Sequence, residues 1–327
     1  MRIAVIDCGT NTFNLLVADA TPMEWKVVFQ SKLPVKLGAG GFEERTIMPS
    51  RFIRGLDAFV CHAVNTRNFS CEKVFAFATS AIRESSNGPE FIAKAKEITG
   101  IEIELISGER EAELIYDGVR QTLPDDYRDL SLIMDIGGGS TEFIIADREK
   151  IHWKKSFLLG VSRIFDLVKP EDRISNIDED YMKNLLDKEL GPLREALAKF
   201  PISKLIGSSG SFDTMLEMFH FQSGRDVMEP SLFSEIPLNA FRQMHQWLMK
   251  SSLEERLNHK AIPGIRAEYM PLSTYLVHVV LQMADFNKLY HSGYSLKEGA
   301  MKDILSRIDW PAPSEEINEK PEDYLEG

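Results

Sequence analysis

One short pattern occurs twice in this chain: an apolar run that ends in Asp, then glycine, hydroxyl residues and a second apolar run. The first copy spans residues 3–17 and contains Asp7; the second spans residues 132–146 and contains Asp135 followed by three glycines after Ile136. Such runs predict two buried strands joined by a tight turn. Glycines at a strand end also let backbone N–H groups approach an anion closely. A hairpin turn alone explains either copy, but the repetition favours a ligand site.

The elements around the two copies follow the same order. Residues 2–33 predict three strands, which helices and strands follow in alternation, and residues 130–168 begin again with three strands and a helix. A length of 327 residues is also more than one compact core usually serves. We therefore predict an α/β protein whose two similar domains, with mixed sheets, face a central cleft.

We expect the first domain to cover residues 1–124 and the second to cover 125–295. The final helix, at about 296–308, is expected to pack back on the first domain. Residues 309–327 form an acidic tail, of which we expect residues 314–327 to be disordered. Apolar spacing predicts further helices at 178–199, 237–250 and 266–285. The glycine-rich residues 35–41 are expected to form a flexible loop.

Composition excludes several classes of function. A formal charge of −12 disfavours binding to nucleic acid or to a membrane surface through a basic face. No apolar run reaches the length of a membrane span. Three cysteines without a CxxC spacing suggest a reducing, cytoplasmic compartment, and seven scattered histidines make a histidine-built metal site improbable.

Two charged residues near predicted strand ends are candidates for chemistry. Arg83 follows a short buried strand, where open α/β sheets bind ligands, although an ion pair with Glu84 explains it equally well. Glu111 lies in the first turn of a helix that Ser107 begins. Acidic residues there complement the helix dipole, so Glu109 and Glu111 need no catalytic role; the alternative is that one of them is a general base.

The repeated turns suggest a cation. Two glycine and hydroxyl loops that bind one polyanion need a cation between them, and Asp7 and Asp135 can hold Mg²⁺ directly or through water. Other phosphate motifs fit less well. A P-loop requires Lys after its glycines, and a dinucleotide fingerprint requires the glycines to open a helix, whereas a strand follows them here.

These motifs carry a family resemblance. IDCGTNT at residues 6–12 and DIGGGSTE at 135–142 resemble the two phosphate motifs of the actin, Hsp70 and sugar-kinase superfamily. The set is similar to the exopolyphosphatase and guanosine pentaphosphate phosphohydrolase (Ppx/GppA) family once further motifs are added. These are ATSAIR at 78–83, SGEREA at 107–112, GSSG at 207–210, PGIRAE at 263–268 and LKEG at 296–299.

The resemblance implies two actin-like, ribonuclease H-like domains and hydrolysis of a terminal phosphoanhydride bond in inorganic polyphosphate or guanosine pentaphosphate. It implies that Glu111 is the general base, that Arg83 neutralises charge on the transferring group, and that Asp135 holds Mg²⁺ with Asp7 and Glu142 near the metal. The implied phosphate-binding residues are Thr10, Asn11, Thr12, Gly137, Gly138, Gly139, Ser140, Ser209, Gly210 and Ser211. A homodimer is implied by the family alone.

The chain departs from the family pattern at several positions. Thr10 and Thr12 replace common serines and keep the hydroxyl, Asn14 replaces a residue that is often basic, and Lys297 stands where Arg is common. Long members carry an additional C-terminal helical domain, so we expect a short-form enzyme. Two other functions remain open: a kinase-like phosphotransferase that uses ADP, and a nonenzymatic sensor of nucleotides or polyphosphate.

Overall fold

The first repeat lies in a five-stranded mixed sheet. The computed structural model describes residues 1–224 and 231–310. The sheet has the strand order β3-β2-β1-β4-β5, with β1 antiparallel to β2 and parallel to β4. Its strands are β1 (Arg2–Cys8), β2 (Thr12–Ala20), β3 (Trp25–Pro34), β4 (Lys73–Ala78) and β5 (Ile103–Leu105). The helices between them are α1 (Pro49–Asn68), α2 (Ser80–Arg83), α3 (Gly88–Thr99) and α4 (Gly108–Val119).

The second repeat lies in a sheet with the same arrangement. Its strand order is β10-β11-β9-β6-β7-β8. The strands are β6 (Ser131–Ile136), β7 (Thr141–Ala146), β8 (Ile151–Phe157), β9 (Lys204–Ser208), β10 (Phe233–Glu235) and β11 (Lys288–Ser292). The helices are α5 (Val161–Val168), α6 (Asn176–Glu189), α7 (Gly191–Lys199), α8 (Ser209–Ser223), α9 (Leu238–Lys250), α10 (Leu253–Asn258), α11 (Met270–Leu281) and α12 (Leu296–Arg307).

The two sheets share a central helical layer. Side chains alternate along β1, so that Ile3 and Val5 pack on α4 and α12, while Ala4 and Ile6 pack on the outer side towards α1 and α3. The second sheet packs on the same two helices through Ile133, and on its other face it contacts the helices of the second half. The result is five layers, in the order helices, sheet, α4 with α12, sheet, helices.

This architecture confirms the predicted α/β fold with two mixed sheets on either side of a cleft. Helix α12 packs on α4 and contacts β1 and β2. The boundaries at residues 124 and 295 stay a prediction. Of the acidic tail, residues 311–327 lie outside the described residues. No helix in the described chain has both the length and the apolar character needed to cross a bilayer.

Prolines explain two errors in the predicted helices. The helix predicted at 178–199 is two helices, because Pro192 stands in the first turn of α7 and ends the continuous hydrogen-bond ladder. The helix predicted from residue 266 begins at Met270, since Pro271 sits in its first turn. Arg266 therefore lies in the turn before the helix, where it can reach the cleft. Strand β10 and helix α10 were not predicted.

The loop expected to be flexible instead contacts the second half of the molecule. Lys36 forms an ion pair with Glu268 at 2.6 Å, and the amide of Gly40 donates to Asp166 at 2.7 Å. The Arg163 guanidinium lies 4.6 Å from the centre of the Phe42 ring. Local sequence patterns carry no sign of these partners, because they are more than 120 residues away along the chain.

The two central helices meet at glycines. A Cβ atom on Gly299 of α12 would lie 1.7 Å from the carbonyl oxygen of Leu114 in α4, and one on Gly118 would lie 2.1 Å from that of Ser295. Backbone atoms cannot give way as a flexible side chain can. The close approach of α4 and α12 therefore depends on these glycines.

We expect Gly299→Ala to lower the free energy of unfolding by about 3 kcal/mol or more, because the added methyl group forces the two helices apart. Urea denaturation followed by circular dichroism measures the change. Gly191→Ala, in the first turn of α7, is the matched control: its Cβ meets nothing within 4 Å, so it should be neutral or stabilise by up to about 1 kcal/mol. Equal stability of the two variants would contradict this account of the packing.

Candidate active site

The two repeated turns line one cleft between the sheets. Of the predicted phosphate-binding and metal residues, all except Glu142 line it, and Glu111 lines it as well. In addition to the turns, the walls come from α4, from the start of α8 and from the turns before α11 and α12. The structure thus brings residues from widely separated segments of the sequence to one site.

Both turns close with the same hydrogen bond. The amide of Gly9 donates to the carbonyl of Thr12 at 3.2 Å, and the amide of Gly137 donates to that of Ser140 at 3.0 Å. Each closure leaves the two intervening amides, those of residues 10–11 and 138–139, without an acceptor among the residues that the structure describes. Free N–H groups in a turn form a concave anion site. The duplicated sequence thus produces a duplicated cradle with four donors.

The turns also touch each other at the base of the cleft. A Cβ atom on Gly138 would lie 2.9 Å from the side-chain amide of Asn11, and one on Gly139 would lie 2.6 Å from the hydroxyl of Ser80. Ser162 in α5 donates to the Asn11 side-chain oxygen at 2.7 Å. Ligand approach was the reason predicted for these glycines. The structure adds a second reason, which is contact between the two turns.

Asp7 and Asp135 end their strands at equivalent positions. Asn14 donates to Asp7 at 2.9 Å, whereas Ser208 and Ser209 donate to Asp135 at 2.7 and 2.9 Å. Burial raises the pKa of Asp7 to about 6, against the effect of the Asn14 hydrogen bond, and the negative charge of Asp135 adds to the increase. Burial also raises the pKa of Asp135, which the two serine hydrogen bonds partly offset.

This pair of carboxylates fits a hard divalent cation. Repulsion between buried carboxylates is relieved by a cation placed between them. Within residues 1–224 and 231–310, no three His, Cys, Asp or Glu side chains converge as a preformed metal cage. Mg²⁺ does not require one, since it commonly takes one or two carboxylates and completes its shell with water and substrate phosphates. Asp7 and Asp135 are the residues that would hold it.

Glu111 is buried in the cleft wall and held by Arg83. It lies in the first turn of α4, whose N-cap Ser107 accepts from the Arg110 amide at 3.1 Å. Its carboxylate is only 7% exposed and accepts from Arg83 at 3.0 Å. Burial raises the pKa of Glu111 to about 7, although the nearby positive charge of Arg83 lowers it. A carboxylate with a pKa near neutrality is suited to accept a proton from water.

Arg83 and Glu142 lie behind the cleft surface. Arg83 also donates to Glu84 at 3.2 Å and to the carbonyl of Ile106 at 3.0 Å, so the ion pair weighed from the sequence exists beside the pair with Glu111. Glu142 pairs directly with Asp135 across β6 and β7 and accepts from Ser156 at 2.7 Å. Burial, and then the negative charges of Glu111 and Asp135, raise the pKa of Glu142 well above its usual range. These positions favour a supporting role over contact with substrate.

The loop that begins α8 has fewer free hydroxyl groups for binding phosphate than its sequence suggests. Ser209 donates to Asp135, and the hydroxyl of Ser211 is within 3.0 Å of that of Ser273. Ser209 also has a φ of 65°, an unusual backbone conformation for a residue other than glycine. A Cβ atom on Gly210 would lie 2.4 Å from the Arg266 guanidinium. This loop therefore positions Asp135 and Arg266.

Several cleft residues were not among the predicted site residues. Ser80 is 2% exposed, lines the cleft, and its hydroxyl has no partner among the described residues. Asp213 accepts from His291 at 3.0 Å. Although burial raises the pKa of Asp213, this hydrogen bond and the charge of Arg266 lower it to about 2. Lys32 on β3 lines the cleft opposite these groups. Ser80 and Arg266 lie within the motifs ATSAIR and PGIRAE and could have been found from the sequence, whereas Asp213 and Lys32 lie in no motif.

Glu111→Gln should stabilise the metal-free protein at alkaline pH. The folded protein holds the Glu111 proton up to about pH 7, whereas an unfolded chain releases it near 4.3. Stability is therefore lost as pH rises through that window, and the variant removes the loss. We expect a gain on the order of 1–3 kcal/mol at pH 8 and little at pH 5, measured by urea denaturation in EDTA.

The exposed Glu104→Gln is the control for this experiment and should leave the difference between pH 5 and pH 8 as in the parent protein. A Glu111→Gln variant that is less stable than the parent at pH 8 would contradict the account of a strained, buried carboxylate.

Comparison with known proteins identifies the family of this chain. The Ppx/GppA phosphatase family matches residues 16–308. The chain is 24% identical over 305 residues to the guanosine-5'-triphosphate,3'-diphosphate pyrophosphatase of Photobacterium profundum and 25% identical to that of Vibrio cholerae. Each alignment covers 93% of this chain and 59% of the relative, so the chain spans about three fifths of the length of these curated relatives.

Solved structures resemble it over nearly its whole length. An exopolyphosphatase from Cytophaga hutchinsonii is 35% identical with a TM-score of 0.89, covering 94% of this chain and 99% of that one. The Ppx/GppA enzyme of Aquifex aeolicus has a TM-score of 0.75 at 21% identity, covering 93% and 99%, and supports the fold alone. The chain therefore belongs to the Ppx/GppA phosphatase family.

Proposed function

We propose that this protein is a Mg²⁺-dependent hydrolase that releases the terminal phosphate of inorganic polyphosphate, of guanosine pentaphosphate, or of both. The observation that carries the proposal is Glu111, a buried carboxylate held by Arg83 in the wall of a cleft that also contains the four turn amides and the carboxylates of Asp7 and Asp135. The names of the relatives point to the same two substrate classes.

In the proposed reaction, a water molecule attacks the terminal phosphorus atom and Glu111 accepts its proton. The phosphorus–oxygen bond to the bridging oxygen breaks, and the shortened chain leaves with the electron pair of that bond. The products are orthophosphate and a substrate with one phosphate fewer. Arg83 keeps the carboxylate in place through its 3.0 Å contact and lowers its pKa from what burial alone would produce.

The remaining residues bind and orient the phosphates. The amides of residues 10–11 and 138–139 form a cradle for phosphate oxygens, and the unpartnered hydroxyl of Ser80 lies beside it. Mg²⁺, held by Asp7 and Asp135, would supply charge neutralisation on the phosphate oxygens. Phosphoryl transfer depends mainly on such positioning and charge stabilisation. Ser208, Ser209 and Asn14 fix the carboxylates that would hold the metal.

The cellular setting is part of the proposal. Cys8, Cys61 and Cys71 are all free, which supports the reducing, cytoplasmic compartment suggested by their spacing. The homodimer rests on the resemblance to the family, and sedimentation velocity with the full chain tests it.

Glu111→Gln should lower the rate of orthophosphate release from long-chain polyphosphate by about 10²- to 10⁴-fold, because it removes the proton acceptor. A phosphate assay at saturating Mg²⁺ measures the rate. Glu109→Gln, exposed in the same first turn of α4, is the matched control and should keep the parental rate. Equal loss in both variants, or no loss in either, would remove Glu111 as the base.

A substrate panel separates the alternative functions. It contains short and long polyphosphate, guanosine pentaphosphate and ATP, each with and without Mg²⁺. We expect orthophosphate release that requires the metal. Transfer of phosphate to added ADP without hydrolysis would favour a kinase-like phosphotransferase, and tight binding with no turnover would favour a sensor. Either result would contradict the proposed hydrolase.

A further inference from the structure

The strand ends beside the cleft form a row of three polar residues across the first sheet. Asp7 on β1 pairs directly with Asn14 on β2, and Asn14 pairs directly with Lys32 on β3. Directly paired residues point to the same face of a sheet, and all three line the cleft. From Asp7 on β1 to Lys32 on the edge strand β3, the row therefore presents a carboxylate, an amide and an ammonium group in that order.

The other cations of the cleft region are already paired. Lys297 contacts Glu298 at 2.5 Å, and Arg266 contacts Asp213 at 3.5 Å. Lys36 and Arg83 have partners described above. Lys32 is different: across the described ranges 1–224 and 231–310, its ammonium group has no hydrogen bond and no ion pair within 4.0 Å. The charged groups that surround it at longer range are Arg266, Asp213, Lys297 and Asp7.

We propose that Lys32 binds a phosphate of the substrate that is not transferred, and that it thereby makes binding depend on the length of the phosphate chain. Two strand spacings, about 10 Å in total, separate the backbone of Lys32 from that of Asp7. The ammonium group is thus suited to a phosphate further along the chain than the one beside the metal carboxylates. This inference rests on the proposed function, because it assumes a polyphosphorylated substrate in this cleft.

The row also gives Asn14 a role. Its amide orients Asp7 at 2.9 Å. Lys32 supplies a positive charge from the adjacent strand, on the same face and one position outwards. Asn14 is therefore committed to Asp7, and the positive charge of the row comes from Lys32.

An edge strand offers a simpler reason for an exposed lysine. Strand β3 is at the edge of its sheet, and lysines on edge strands discourage pairing with other chains. Lys26 is also exposed on β3 but does not line the cleft, so it fits that explanation alone. A comparison of the two lysines therefore separates phosphate binding from protection of the edge.

The test measures binding of pyrophosphate, tripolyphosphate and long-chain polyphosphate by titration calorimetry with Mg²⁺, in the Glu111→Gln background, so that turnover does not interfere. We expect Lys32→Met to reduce the gain in affinity from pyrophosphate to the longer chains by about five- to tenfold, because a charge-assisted contact is lost. Lys32→Arg should restore the gain to within about twofold, and Lys26→Met should keep it. In the active background the loss should appear in KM and not in kcat.

Equal losses for Lys32→Met and Lys26→Met, or a loss with pyrophosphate as large as that with long chains, would overturn the role of Lys32. The outcome is independent of the proposed reaction. If binding depends on Lys32 but the protein releases no orthophosphate, the proposed hydrolase is contradicted and the proposed role of Lys32 in binding still holds. If the protein releases orthophosphate but Lys32→Met does not change the dependence of binding on chain length, the role of Lys32 is contradicted and the hydrolase still holds.

Discussion

Contact between the two glycine turns is the constraint on which the site depends. Gly138 lies against Asn11, and Gly139 lies against Ser80 and Thr10, so each turn occupies space that a side chain on the other would need. The start of α5 fixes the second turn from behind, since the amides of Val161 and Ser162 donate to the carbonyls of the glycines. These contacts fix the positions of the two sheets relative to each other, although the sheets come from different parts of the sequence.

This arrangement places negative charges close together, which costs stability when no cation is bound. Asp7, Asp135 and Glu111 all have raised pKa values, mainly because the fold buries them. The charge of Asp135 adds to the increase at Asp7, and the charges of Asp7 and Asp135 add to the increase at Glu111. Arg83 and the serine hydroxyls around Asp135 offset only part of this effect. Residual electrostatic strain in a cleft that also exposes free amides is typical of a site that binds a cation together with a polyanion.

Local sequence was sufficient for the features that depend on short range. The hairpins, the α4 N-cap at Ser107 and the equivalence of Asp7 and Asp135 all follow from periodicity and turn residues within a few positions of one another. The domain architecture followed as well, because the same order of elements occurs twice. Helix breaks at Pro192 and Pro271 were missed although the residues are local, since apolar spacing was weighted above proline.

The remaining features of the site depend on distant partners. The residues that neighbour Lys32 in the sequence do not show that strand pairing places Lys32 opposite Asn14. They also do not show that Lys297, more than 260 residues later, lines the same cleft. The hydroxyls after β9 read as phosphate ligands, and only the fold shows that Ser209 is already committed to Asp135. Residues whose role is to orient another residue carry little signal of their own in a single sequence.

The position of α12 has a consequence for how the chain is made. This helix, Leu296–Arg307, lies against β1 and β2, which precede it in the chain by more than 270 residues, and it forms half of the layer between the sheets. The apolar inner face of these two strands is therefore not covered until α12 has also been synthesised. During that interval the nascent chain exposes a surface of the kind that chaperones bind.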